Sequence, residues 1–159
     1  MRKLKRHQAG ITLVEFSVIG SLFLLLLFAI LELAIYVYQL QSLNDLSRRA
    51  ARIAVVCVVN DPDIKTLALS EGAPQGFTED NIQIDYLDSS GTMIADPVSN
   101  HQNIRFVRSQ IINFSYGFTQ LLNFLGENGV VQVQNFRTIL PVESLGVLRD
   151  DDPNAKTDC

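Results

Sequence analysis

The sequence predicts an α+β protein, in which a long amino-terminal helix, apolar in its first half and amphipathic in its second, packs on a small antiparallel sheet. Three observations predict it. From Ile11 to Leu31 every position is apolar or small and neutral except Thr12, Glu15, Ser17 and Ser21. From Gln39 to Val59 there is no Gly or Pro, and Leu40, Leu43, Leu46, Ala50, Ile53 and Cys57 recur every three or four residues, which is one stripe of a 3.6-residue helix. Beyond Asn81 the rhythm changes to alternation and short apolar runs divided by Gly, Pro and Asn, the chemistry of strands and turns.

Taken in order, residues 1–10 form a basic leader. Arg2, Lys3, Lys5 and Arg6 are four of the 13 Lys and Arg, so from Ile11 onward nine cations face 17 Asp and Glu, a formal charge of −8. An acidic body argues against nucleic-acid recognition, which needs a basic face. Cations ahead of an apolar run orient the amino terminus toward the cytoplasm and the rest toward the periplasm or exterior. Phe16 to Tyr38 supplies 23 residues, about 34 Å of helix, enough to cross a lipid bilayer with some tilt. Tyr36 and Tyr38 fall where an interfacial aromatic belt sits. A removable secretory signal fits less well, because the run is long and no small-x-small site follows it.

Glu15 lies about one turn inside the apolar segment that begins at Ile11. An acidic residue at the centre of a membrane helix costs roughly 2.5–3.5 kcal/mol, less toward the end, and usually has a partner. No Lys or Arg occurs between Arg6 and Arg48. Cutting the Gly10–Ile11 bond would create a cation, an α-amine with a pKa near 8. Glu32 is a second carboxylate near the outer end, and two readings stand: it sits at the headgroup level, or it makes an inter-subunit contact.

Residues 39–60 continue the helix, with Gln41, Asp45, Arg48, Arg49 and Arg52 opposite the apolar stripe and Asp45 placed to pair with Arg48 or Arg49. The stripe is a seat for the protein's own sheet or a groove for partner helices. The helix should end near Asn60-Asp61-Pro62. A short helix follows from Pro62 to Gly72. Asn81–Leu87 then reads as a half-buried strand, with Ile82, Ile84 and Tyr86 on one face and Gln83 and Asp85 on the other. Asp88–Gly91 is a turn and Thr92–Ala95 a returning strand. Ile104–Tyr116 is a longer strand whose alternation slips, implying a bulge or burial on both faces. Gly117–Leu125 reads as a short amphipathic helix closed by Gly126–Gly129, and Val131 to Pro141 as the last strand. Residues 61–149 thus form one strand-rich domain of three or four strands and two small helices, and 150–159 an acidic, solvated tail.

Gly10, Glu15 five residues further on, and the apolar run behind them resemble the prepilin-peptidase site of type IV pilins and pseudopilins. The Glu15-Phe16 pair, the leader Arg2-Lys3-Leu4-Lys5-Arg6, the continuation Glu32-Leu33-Ala34-Ile35-Tyr36 and the run Ser47-Arg48-Arg49-Ala50-Ala51-Arg52 resemble more specifically the TadE-like family of the tight-adherence (Flp-type) pilus. The resemblance covers about residues 8–56. One departure is Ile11, where many pilins carry Phe. The resemblance implies a pilin-like fold and a minor pseudopilin of the inner membrane, cut between Gly10 and Ile11. Glu15 and Phe16 then serve subunit registration. The implied partners are a prepilin peptidase, other pilins or pseudopilins, the inner-membrane assembly platform and the bilayer. The alternative class is a single-pass envelope protein whose uncut anchor carries a periplasmic binding domain.

No catalytic chemistry is legible. The two histidines, His7 and His101, assemble neither a His-rich metal site nor a Ser-His-Asp arrangement, so neither an enzyme nor a cofactor is expected. Asp150-Asp151-Asp152 lacks the glycine spacing of an EF-hand loop. Cys57 and Cys159 are the only thiols, and three outcomes stand: a bridge between them, a buried free Cys57, or an intermolecular bond through Cys159.

Overall fold

The periodicity that runs from the apolar span into the amphipathic stripe is carried by one continuous element. In the computed structural model, which describes residues 9–147 and 159, helix α1 is Ala9–Ala54. It is followed by α2 (Asp63–Leu69), β1 (Ile82–Leu87), β2 (Phe106–Ile111), β3 (Ser115–Gly117), β4 (Val130–Gln132) and β5 (Arg137–Pro141). Residues 1–8 of the 1–10 leader and the acidic run Asp150–Asp152 lie outside the described residues, while Ala9 and Gly10 belong to α1. The chain forms two compact units: Met1–Val37 with Gly117–Val131, and Tyr38–Tyr116 with Gln132–Cys159.

In the second unit an antiparallel sheet has the order β1-β2-β5. Its register runs from Ile82↔Ile111 to Leu87↔Phe106 and from Phe106↔Pro141 to Gln110↔Arg137. Strand alternation puts Ile82, Ile84, Tyr86, Val107, Ser109, Ile111 and Leu140 on one face, and the second half of α1 covers it. Leu43, Leu46 and Ala50 are fully buried in a cluster with Ile82, Ile111 and Phe114. Ala54, Val55 and Cys57 join Tyr86, Ile104 and Val107, together with Ile64 of α2. Each fully buried Leu or Ile contributes about 1.5–3 kcal/mol. Ser47, also fully buried on this helix face, sets the helix on the sheet, its Oγ lying 3.3 Å from Ser109 O and 3.0 Å from Thr138 Oγ1. The apolar stripe is therefore the seat of the protein's own sheet. On the polar side Arg49, not Arg48, takes Asp45 at 2.8 Å.

Several elements depart from the sequence expectation, each for a local reason. Helix α1 stops at Ala54, short of Asn60, because the late chain takes the carbonyls of Val55 and Val56 that a further helical turn would use. Leu145 N–H donates to Val55 O (3.2 Å), and Gly146 N–H (2.6 Å) and Ser144 Oγ (3.0 Å) to Val56 O. The stretch 104–116 is not one bulged strand: Asn113 adopts a left-handed φ of 52°, which separates β2 from β3. Residues 92–95 return only as a bridge, Leu87↔Met93, with Ile94 N–H on Tyr86 O at 2.9 Å. The turn before it is held by Asp88, which accepts Ser90 Oγ at 2.6 Å and the Ser90 and Thr92 amides. The Ser90 hydroxyl is the largest cause holding its carboxyl below the ordinary range. The last strand divides into β4 and β5. Asp85, assigned to the polar face, is only 5% exposed. Its Oδ2 accepts both Nε (2.9 Å) and Nη2 (2.7 Å) of Arg108, its cross-strand partner, and its Oδ1 accepts Gln83 Nε2 (2.9 Å), so both oxygens are satisfied as the carboxylate leaves water.

In the first unit, Gly117–Leu125 supplies a single 3₁₀ turn, Gln120–Leu122, rather than a helix. A segment of this length has too few propagating hydrogen bonds to offset nucleation. The loop closes instead through Phe118 N–H on Gly129 O at 2.7 Å and a tight Gly126–Gly129 turn in which Gly126, Asn128 and Gly129 all have positive φ.

Candidate functional site

The first half of α1 presents its apolar side chains outward. Leu13, Val14, Val18, Ile19, Leu22 and Phe23 are all more than half exposed, and the helix is long and apolar enough to cross a membrane. A helix bonds its own backbone, so what remains costly in lipid is the polar side chains. Two of these are satisfied within the helix: Ser17 Oγ donates to Leu13 O at 2.8 Å and Ser21 Oγ to Val18 O at 2.9 Å.

Glu15 is different. It is exposed on α1, and among the described residues none bonds to or pairs with its carboxylate. Phe16, its neighbour, is 77% exposed. The backbone of Gly10 and Ile11 belongs to the first turns of the same helix. The five-residue spacing from Gly10 to Glu15 therefore spans about 7.5 Å along the axis. Among the described residues the arrangement leaves this carboxylate unpaired on a mostly apolar surface, a short distance from the bond expected to be cut.

Glu32 has the opposite environment. It is 6% exposed, and its Oε1 accepts the backbone N–H of Thr119. Its Oε2 is buried with no partner. Next to this contact the Tyr36 and Phe118 rings meet with centroids 5.2 Å apart. Thr119 is 87 residues away in the chain, and sequence reasoning missed it because no local pattern links a span carboxylate to one amide in a distant loop. The structure thus gives Glu32 an intramolecular partner and keeps it about 25 Å along the helix axis from Glu15.

Cys57 and Cys159 form a disulfide, their Cα atoms 5.2 Å apart across 102 residues of sequence. Cys159 N–H also donates to Asp61 Oδ2 at 3.1 Å. Of the three outcomes open in the sequence, the structure contains the intramolecular bridge. A cavity of about 490 Å³ opens between the Asn60–Pro62 turn and β1, beside Lys65 and Asp80, and none of the sequence-expected site residues line it.

Residues 10–52 match the family described as TadE-like protein. The match begins at Gly10, includes Glu15, Phe16 and Glu32, and ends in the amphipathic half of α1, leaving every strand outside it. No curated protein and no solved structure matches the chain.

Proposed function

From the match of residues 10–52 to the TadE-like family, we propose that this chain is a minor pseudopilin of a tight-adherence pilus or a related secretion filament. That match, beginning at the expected last leader residue, is the observation that carries the reading. The chain inserts with its leader in the cytoplasm, α1 crosses the inner membrane, and the sheet folds in the periplasm. A prepilin peptidase cuts after Gly10 and frees the amine of Ile11. The mature subunit then leaves the bilayer for an assembling complex that includes other pilins or pseudopilins.

Glu15 supplies the registration step. Its exposed carboxylate, unpaired among the described residues, is costly while it faces lipid. A protonated terminal amine of a neighbouring subunit turns that cost into a charge-assisted contact that is satisfied at one axial position only. Phe16, exposed beside it, packs against the same neighbour. Neither step needs a cofactor.

The reading is tested by the intact mass of the membrane-extracted protein, with and without a co-expressed prepilin peptidase. Loss of residues 1–10 only when the peptidase is present is the expected result. An unchanged mass in both cases would overturn the reading in favour of an uncut anchored protein, and a cut beyond the apolar run would mark an ordinary secretory signal.

A further inference from the structure

We propose that the Gly117–Val131 loop is a lipid-facing element, lying in the outer interface of the bilayer and fastened there to α1 by Glu32. The inference rests on the reading of α1 as a membrane anchor and adds a second part of the chain to the membrane-bound surface.

The loop and the apolar part of α1 belong to one compact unit. Glu32 and Thr119 join them through a hydrogen bond, and Tyr36 and Phe118 through a ring contact. Depth follows from helix geometry. From Thr12 to Glu32 the axis advances about 30 Å, the thickness of a bilayer's hydrocarbon core. A span entering anywhere from Thr12 to Phe16 therefore brings Glu32, and the loop tied to it, to the far hydrocarbon boundary or within about 6 Å of it. Composition agrees with that position: from Gly117 to Val131 the only charged residue is Glu127, and Phe118, Leu121, Leu122, Phe124 and Leu125 fall within eight positions. Phe118 and Leu122 turn inward, whereas Phe124 is 76% and Val130 42% exposed. An aromatic side chain that finds no cover in its own unit, in a loop held to a helix whose outward side chains are mostly apolar, meets the occupant of that helix surface, which is lipid. Interfacial segments of this kind place Phe and Leu at the headgroup–acyl boundary and keep their polar groups toward water.

The protein contains no Trp, so a single Trp reports its own depth. Full-length Phe124→Trp is reconstituted in phosphatidylcholine–phosphatidylglycerol vesicles whose acyl chains carry bromine at either shallow or deep carbons. Leu24→Trp, in mid-span, and Val98→Trp, in the 96–100 loop, serve as references; both replace exposed residues. The expected result is a blue-shifted Phe124→Trp emission that shallow bromines quench more than deep ones. Leu24→Trp should be quenched most by deep bromines, and Val98→Trp by neither. Val130→Trp, at the first residue of β4 in the same 117–131 segment, should follow Phe124→Trp and guards against a local effect of one substitution. If the loop variants behave like Val98→Trp while Leu24→Trp is quenched, the anchor stands and the loop proposal falls. A blue-shifted but unquenched Phe124→Trp would place the loop against protein, such as a second copy, and also overturns it. An unquenched Leu24→Trp removes the anchor reading itself.

Discussion

Gly146 ties the late chain to the end of α1, and replacing it with Ala should lower stability well beyond a simple glycine effect. Its φ is +74°, and a Cβ built there would lie 2.9 Å from both Cα and N of Val58, too close for either backbone to stay where it is. The left-handed conformation alone costs an L-residue roughly 1–2 kcal/mol, and overpacking against fixed atoms adds about 1–3 kcal/mol. Displacement also strains the Leu145 and Gly146 amide bonds to the carbonyls of Val55 and Val56. The expected loss is therefore about 2–5 kcal/mol, a large share of a typical folding free energy of roughly 5–15 kcal/mol. Urea unfolding of the full chain in detergent, followed by circular dichroism, reads this as a midpoint lowered by about 1–3 M, given typical slopes. Gly91→Ala is the reference, since Gly91 also has a positive φ, +81°, but nothing within 4 Å of its Cβ position. It should lose only the left-handed part, roughly 1–2 kcal/mol. Equal midpoints for the two variants would refute the claim that close approach to Val58 is what reserves position 146 for glycine.

Other perturbations separate function from fold. Glu15→Val should leave cleavage after Gly10 largely intact and abolish incorporation into filaments, scored by mass and by the sheared pilus fraction; normal incorporation would end the registration role. Asp85→Ala strands the guanidinium of Arg108. Because that side chain keeps 25% of its surface exposed, the loss should fall at or below the lower end of the roughly 3–5 kcal/mol typical of a broken buried pair, read by the same denaturation. Burial raises the pKa of Tyr86 above 10.0, outweighing the Asn60 amide that its hydroxyl accepts. The folded state then holds this proton more tightly than the unfolded one. The contribution is complete below pH 10.0 and is lost as pH rises through the folded pKa, so Tyr86→Phe should flatten the alkaline decline in stability. Finally, the oxidised protein should be lighter than the reduced one by two hydrogens. Paired Cys57→Ser and Cys159→Ser substitution should cost up to about 4–5 kcal/mol for a loop of this length; an unchanged mass on reduction would exclude the bridge.

Much of the helix was legible because its signals are local. The stripe Leu40, Leu43, Leu46, Ala50, Ile53 and Cys57 is the buried or half-buried face, since side chains three and four apart in a helix meet the same neighbour. β1 was legible for the same reason at period two, except that Asp85 looked solvent-facing until Arg108 was seen opposite it. The strands after residue 104 were read too long, because an αL residue at Asn113 and the gap between β4 and β5 leave no mark in hydrophobicity. Of the candidate site, Gly10, Ile11, Glu15 and Phe16 could be singled out from spacing and charge within seven residues. Glu32 could be singled out as anomalous, but its partner could not be named.

The amino-acid sequence by itself determined the elements whose energetics are settled within a few turns: the apolar span, the unpaired carboxylate inside it, the amphipathic continuation and the first strand. Tertiary structure alone decided what depends on segments far apart meeting. These are the sheet order β1-β2-β5, the end of α1 at Ala54 under the amides of Leu145 and Gly146, the Cys57–Cys159 bridge, and the capture of Glu32 by Thr119. A periodic pattern states which face of an element leaves water, whereas the identity of what covers that face is set by loop closure and packing over separations of about 20–100 residues, for which a local pattern carries no term.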